Sequence, residues 1–147
     1  MRNMQRTAAL VLATLLLAAS TARATKLVTY SFRGAARVGA HVGNAVIDVN
    51  RAYAMMLKDR GKPRAEALAN ALVPADMVEL LQGEGDSRAA ALEAIQFAQK
   101  LAATPAGAER LKQSGIWFAT SEGKLLAPIP NPPHLLAIGL NYKAHIE

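Results

Sequence analysis

Residues 26–32 (KLVTYSF) begin the folded part of the chain and indicate its structural class. Successive residues alternate between two faces and are largely of types that favour β-strands. Two further strands are expected over 37–42 (RVGAHV) and 45–49 (AVIDV). Gly43 and Asn44 separate these two, and both residue types tolerate the positive φ of a two-residue hairpin turn. The sequence therefore predicts a small antiparallel β meander.

The pattern changes after the third strand from a period of two to the spacing of helices. Asn50 is a favoured N-cap residue type and is expected to begin the first helix. A loop is expected over 82–87 (QGEGDS), with Asp86 or Ser87 capping the long helix that follows, and Thr104 is expected to cap the last helix. The expected helices are 50–60, 63–71, 75–81, 88–103 and 105–113, followed by short strands at 116–118 and 124–129. The predicted fold class is α+β, a small antiparallel β meander followed by a helical section.

Composition excludes several classes of protein. The chain has 147 residues, 52% of them hydrophobic, which excludes a disordered protein. It carries 17 Lys and Arg against 11 Asp and Glu. Three of the arginines lie within residues 1–24, so 14 basic and 11 acidic residues remain after that segment. This excess is small and scattered, so we expect no nucleic acid partner. The absence of cysteine excludes disulfides and thiolate metal sites.

Residues 1–24 have the pattern of a signal peptide. Arg2 and Arg6 precede an apolar run over 7–19, and the small residues Ala22 and Ala24 follow it. The run is about 13 residues, shorter than the roughly 20 needed to span a bilayer. We expect cleavage after Ala24, no stable membrane span afterwards, and a periplasmic or secreted location if the leader functions. The alternatives are a retained membrane anchor, or a start codon placed too far upstream and a cytoplasmic protein.

A proline-rich stretch over 128–134 divides the remainder of the chain. Four of its seven residues are proline, a density that forbids helix and favours an extended, semi-rigid path. We interpret 25–127 as one domain, 128–134 as a linker that includes His134, and 135–147 as the start of a second domain. His41 lies in the middle of a predicted strand, where we expect it to serve packing or the surface.

The end of the chain carries the most specific motif. Residues 125–128 (LLAP), 131–133 (NPP) and the G-x-N-Y-x-x-H segment over 139–145 together resemble the fumarylacetoacetate hydrolase family. The likeness covers nearly everything after the leader, with 25–127 corresponding to the family's N-terminal domain. It implies that 135–147 is the truncated start of a catalytic domain, which in this family is a mixed β-sandwich roll. Family members hydrolyse C–C bonds in β-diketo acids, decarboxylate oxaloacetate-like acids or isomerise dienoates.

The resemblance also implies roles for particular residues. His145 corresponds to the catalytic base, a group that titrates near neutral pH, and Asn141 and Tyr142 to substrate-binding residues. The family holds Mg²⁺ or Mn²⁺ through downstream carboxylates, so no metal is expected to bind this chain alone. The expected substrate is a small oxo or diketo acid, and a homodimer is a state the family allows. This polypeptide by itself is expected to be inactive, and the alternative is an exported non-catalytic binding or vestigial domain.

Overall fold

The computed structural model of the protein describes residues 25–137. It confirms the α+β class, with an antiparallel meander, then helices, then two further strands. The predicted signal peptide lies outside the described residues, as does most of the predicted start of a catalytic domain. Residues 126–137 contain no helix or strand, in keeping with their proline content.

The meander is formed by β1 (Lys26–Ser31), β2 (Ala36–Val42) and β3 (Ala45–Asp48). Both pairings are antiparallel, with Tyr30 opposite Arg37 and Gly39 opposite Asp48. Gly43 has a φ of 60° in the turn between β2 and β3, as the hairpin prediction requires. The strand prediction for this part of the chain is confirmed to within one residue at most ends.

Two short strands extend the same sheet at its two edges. β4 (Trp117–Ala119) pairs with β3, and β5 (Lys124–Leu125) pairs with β1, giving the order β4-β3-β2-β1-β5. The prediction of a strand over 124–129 is wrong after its second residue. Leu126 still donates its N–H to the carbonyl of Thr29, but Pro128 and Pro130 have no N–H with which to continue the ladder.

Five helices cover one face of this sheet. Their bounds are α1 Val49–Asp59, α2 Ala65–Leu72, α3 Met77–Gln82, α4 Glu84–Ala102 and α5 Pro105–Gln113. Val38, Ala40 and Ile47 point from the sheet into the main core, where they pack with the buried stripes of the helices. No helix among residues 25–137 combines the length and the apolar character that crossing a bilayer would require.

Of the three predicted helix caps, two are wrong and one is confirmed. Asp48, and not Asn50, caps α1, because its carboxylate accepts from the N–H of Arg51 at 2.9 Å. α4 begins at Glu84 and leaves only Gly83 between it and α3, so no loop spans 82–87. A Cβ at Gly83 would lie 1.8 Å from the Ser87 hydroxyl, so that only glycine fits this close approach. Thr104 caps α5 as predicted.

Candidate functional site

Asp48 is the most deeply buried charged residue of residues 25–137, with no exposed surface. It ends β3, where strand alternation places it on the face opposite its neighbour Ile47. It therefore faces away from the main apolar core and lies on the same face as Tyr30, Arg37 and Gly39. A charge in this position requires partners, because burying an isolated carboxylate costs several kcal/mol or more.

Three residues supply those partners. The hydroxyl of Tyr30 donates to Oδ2 of Asp48 at 2.6 Å, and Nε of Arg37 donates to the same oxygen at 2.7 Å. Oδ1 accepts from the backbone N–H of Arg51 at 2.9 Å and from Nη2 of Arg37 at 3.3 Å. Nε of Arg51 lies farther away, at 3.5 Å from Oδ2. The carboxylate is thus bound by donors from two strands and one helix.

Gly39 makes room for this arrangement. A Cβ at this position would lie 2.6 Å from Cγ1 of Val46 and 2.9 Å from Cδ1 of Tyr30. The ring of Tyr30 therefore lies directly over the backbone of Gly39 and can extend across β2 toward Asp48. Phe118 packs against Tyr30 with ring centroids 5.0 Å apart, and helps to exclude water from this side of the sheet.

The environment shifts the ionisation of both donors. Burial raises the pKa of the Tyr30 hydroxyl well above its usual range, and the adjacent negative charge of Asp48 raises it further. Burial alone would lower the pKa of Arg37, but the hydrogen bond and charge of Asp48 outweigh that effect and the net shift is upward. Neither side chain changes its charge near neutral pH, so neither is suited to proton transfer there.

The polar contacts continue from Arg37 into the helices. Nη2 of Arg37 donates to Oδ1 of Asn50 at 3.0 Å. The amide of Asn50 in turn donates to Oδ1 of Asn70 at 3.0 Å and to the carbonyl of Val73 at 2.7 Å. This chain of hydrogen bonds joins the sheet to α1 and α2, and it holds the Arg37 guanidinium in one orientation.

A cleft of about 450 Å³ opens beside these groups. We call it the basic cleft, because it is lined by the four cationic side chains Arg37, Arg51, Lys58 and Arg110. Apolar side chains also line it, namely Ala54, Met55 and Ile116, together with polar groups of Asn50, Glu66, Asn70 and Ser114. A site of this kind suits an anion better than a cation.

Three of the four cations already have a carboxylate partner. Arg37 is bound to Asp48, as described above. Lys58 contacts Glu66 at 2.7 Å, and this hydrogen bond lowers the pKa of Glu66. Arg110 makes a two-bond contact with Asp59 at 2.6 and 2.8 Å, which lowers the pKa of Asp59. The remaining cation, Arg51, has only its 3.5 Å contact with Asp48.

The described residues do not fit a divalent metal. Among residues 25–137 there is no group of three or more His, Asp or Glu side chains that could hold one. The carboxylates of Asp48, Asp59 and Glu66 are engaged by arginine or lysine, and that of Asp76 caps α3. A hard cation needs several free oxygen ligands around one cavity.

The predicted site residues His145, Asn141 and Tyr142 are outside the described residues, so their predicted roles stay predictions. His134 is exposed in the segment without helix or strand, and His41 is half-buried in β2.

Sequence reasoning missed the network centred on Asp48. The available signal was an acid inside the otherwise apolar run 45–49 (AVIDV), immediately before a helix. That signal indicates a buried carboxylate or a helix cap, and Asp48 is both.

The chain matches no protein-family model, no curated protein and no solved structure. The resemblance to the fumarylacetoacetate hydrolase family therefore rests on the sequence motifs alone. The most specific of these is G-x-N-Y-x-x-H over 139–145, with its proline-rich lead-in.

Proposed function

We propose that residues 25–127 form the N-terminal domain of a metal-dependent enzyme of the fumarylacetoacetate hydrolase family, which acts on β-diketo or oxo acids. The observation that carries the proposal is the G-x-N-Y-x-x-H segment over 139–145, which follows a proline-rich stretch and an α+β domain. In this proposal His145 is the base that moves a proton, and Asn141 and Tyr142 bind the substrate.

The carboxylates that hold Mg²⁺ or Mn²⁺ come from outside residues 25–137 in this proposal. Those of the described domain that line or border the basic cleft are already paired with cations. The chemistry that the metal supplies when bound is stabilisation of negative charge on the substrate. The domain itself then has a positioning role and no catalytic one.

Contacts at the end of the domain support that positioning role. The Leu126 N–H donates to the carbonyl of Thr29 at 2.9 Å, and the Thr29 hydroxyl donates to the carbonyl of Pro128 at 2.5 Å. Both bonds attach the start of the proline-rich segment to β1. Leu135 and Leu136, which directly follow that segment, are 87% and 95% exposed, which is unusual for two adjacent leucines. We infer that they pack against the catalytic unit.

The test begins with the coding sequence downstream of residue 147. We expect it to continue in frame with an acid-rich segment that supplies the metal ligands. The protein extended through that segment should cleave an acylpyruvate when Mg²⁺ or Mn²⁺ is added, whereas the 147-residue chain should not.

The matched control for this test uses the two histidines near the end of the chain. His145→Ala should abolish turnover by the extended protein, and His134→Ala should leave it unchanged. Activity that survives His145→Ala, or a downstream sequence without such acids, would contradict the proposal.

A second candidate function is that of an exported, non-catalytic binding domain. The basic cleft favours it, because its lining residues all lie within the described domain and leave Arg51 without a close carboxylate of its own. N-terminal sequencing of the protein recovered from cells tests the export. A chain that begins at Thr25 would support it, whereas an intact Met1 would indicate a retained anchor or no processing.

A further inference from the structure

We propose that the basic cleft binds a small organic anion through a carboxylate or phosphate group, with Arg51 as the principal contact. This inference goes beyond the proposed function and does not rest on it, because every residue that it uses lies in the described domain. It depends on three features of the cleft, namely its charge balance, its free hydrogen-bond donors and its apolar wall.

The charge balance leaves one cation in excess. Arg37, Arg51, Lys58 and Arg110 contribute four positive charges, and their partners Asp48, Asp59 and Glu66 contribute three negative ones. Asp48 is shared by two guanidinium groups, but Arg37 is much the closer of the two, at 2.7 Å against 3.5 Å for Arg51. The side chain of Arg51 is 47% exposed, so an anion can reach it from solvent.

The cleft also contains hydrogen-bond donors that are available to a ligand. The guanidinium of Arg51 donates no hydrogen bond to any other residue of 25–137 that meets ordinary distance limits. Asn70 lines the cleft and accepts at Oδ1 from Asn50, so the two N–H groups of its own amide remain available as donors. An oxyanion can accept from both side chains, and the planar fork of an arginine matches a carboxylate or phosphate with two parallel bonds.

The apolar wall selects an organic ligand over a bare inorganic ion. Ala54, Met55 and Ile116 line the cleft. Its volume of about 450 Å³ lies within the range of small-molecule sites. A molecule with a short hydrocarbon body and an anionic end would contact both parts. Arg37 is held in place by Asp48 and Asn50, so part of the anion site is ordered before the ligand arrives.

Binding is measured by isothermal titration calorimetry and by amide chemical shifts on the 147-residue chain. The probes are benzoate, succinate, phenyl phosphate and inorganic phosphate, at a constant ionic strength. We expect saturable binding of the organic anions and weaker binding of inorganic phosphate. The comparison of benzoate with phenyl phosphate distinguishes a carboxylate from a phosphate as the preferred group.

Variants then locate the site. Arg51→Gln should weaken binding about tenfold, because one charge-assisted contact is lost. Arg60→Gln is the matched control, since Arg60 follows α1 directly and has a similarly exposed side chain that faces Glu93. Ser114→Glu places a negative charge in the cleft from an exposed position and should abolish binding. Circular dichroism confirms that each variant is folded.

Three results would overturn the proposal. The first is the absence of saturable binding of any organic probe up to about 10 mM. A site that is not saturated at this concentration has negligible affinity for the probe. The second is an equal loss in Arg51→Gln and Arg60→Gln, which would indicate general attraction to a basic protein. The third is unchanged binding in Ser114→Glu, which would place the ligand elsewhere.

Discussion

Both faces of the sheet contain buried side chains, but different kinds of interaction stabilise them. On the face under the helices, Val38, Ala40 and Ile47 contribute to a continuous apolar core. On the opposite face, Tyr30 and Arg37 surround the carboxylate of Asp48, and a small aromatic cluster packs beside them. Ile47 and Asp48 are adjacent in the chain, and strand alternation sends one to each face.

The two faces should therefore respond differently to substitution. Apolar packing is not directional, and a core of this kind tolerates changes of shape if its volume is kept. A buried ionic network depends on every partner, because removing one leaves the others desolvated without a bond. The polar face is thus the more specific of the two, and three predictions test how far its network depends on each partner and on burial.

The largest effect is expected for Asp48→Ala. It removes a helix cap and leaves the Arg37 guanidinium without its carboxylate, so the free energy of unfolding should fall by about 3–5 kcal/mol. Asp76→Ala is the matched control, because exposed Asp76 caps α3 through the N–H groups of Val78 and Glu79. Its loss should be about 1 kcal/mol. Urea denaturation measures both values, and equal losses would show that Asp48 acts only as a cap.

An intermediate effect is expected for Tyr30→Phe. The variant keeps the ring over Gly39 and removes only the hydrogen bond to the charged Asp48, so the loss at neutral pH should be about 1.5–3 kcal/mol.

The same variant should change the pH dependence of stability. The folded state raises the pKa of Tyr30 above its ordinary value of 10.0, so the folded protein holds this proton more tightly than the unfolded chain. The stability that this shift contributes is fully present below about pH 10 and is lost as the pH rises above 10. The difference in stability between wild type and Tyr30→Phe should therefore shrink above pH 10, as followed by urea denaturation.

Tyr53→Phe, which alters the other buried tyrosine of the described residues, is the control for this experiment. A difference between wild type and Tyr30→Phe that stays constant into the alkaline range would refute the role assigned to the Tyr30 hydroxyl.

The smallest effect is expected for Glu93→Gln. The ion pair between Arg60 and Glu93 is as short as that between Arg37 and Asp48, at 2.7 Å, but its side chains are 50% and 46% exposed. Solvent screens such a pair, so the loss should be below about 1 kcal/mol and smaller still in 1 M salt. A loss as large as that of Asp48→Ala would show that burial is not what separates the two pairs.

Local signals predicted much of the fold. The alternation over 26–32 and the Gly43-Asn44 turn predicted the meander, and the Thr104-Pro105 pair predicted the start of α5. The prediction failed at the start of α4, where two glycines in 82–87 suggested a loop. Gly83 instead allows close packing against Ser87, an effect of tertiary contact that local propensity does not contain.

The candidate sites also include features that local sequence signals predicted and features that they did not. The motif that contains His145 was found through resemblance, and its role stays a prediction. Asp48 carried a weak local signal, but no pattern near it in the sequence identified Tyr30 or Arg37 as its partners. The basic cleft was not predicted, because its lining comes from β2, α1, α2 and α5 and from Ser114 and Ile116 beyond α5.

The amino-acid sequence by itself determined the α+β class, the order of strands and helices, and the face on which each strand residue lies. These follow from the period of the apolar residues and from turn and cap residues, which act over a few positions. Only the tertiary structure decided that β4 and β5 close the two edges of the meander and that Asp48 is buried among Tyr30 and Arg37. Such contacts join residues far apart in the chain, and their energies depend on packing and desolvation that no local pattern records.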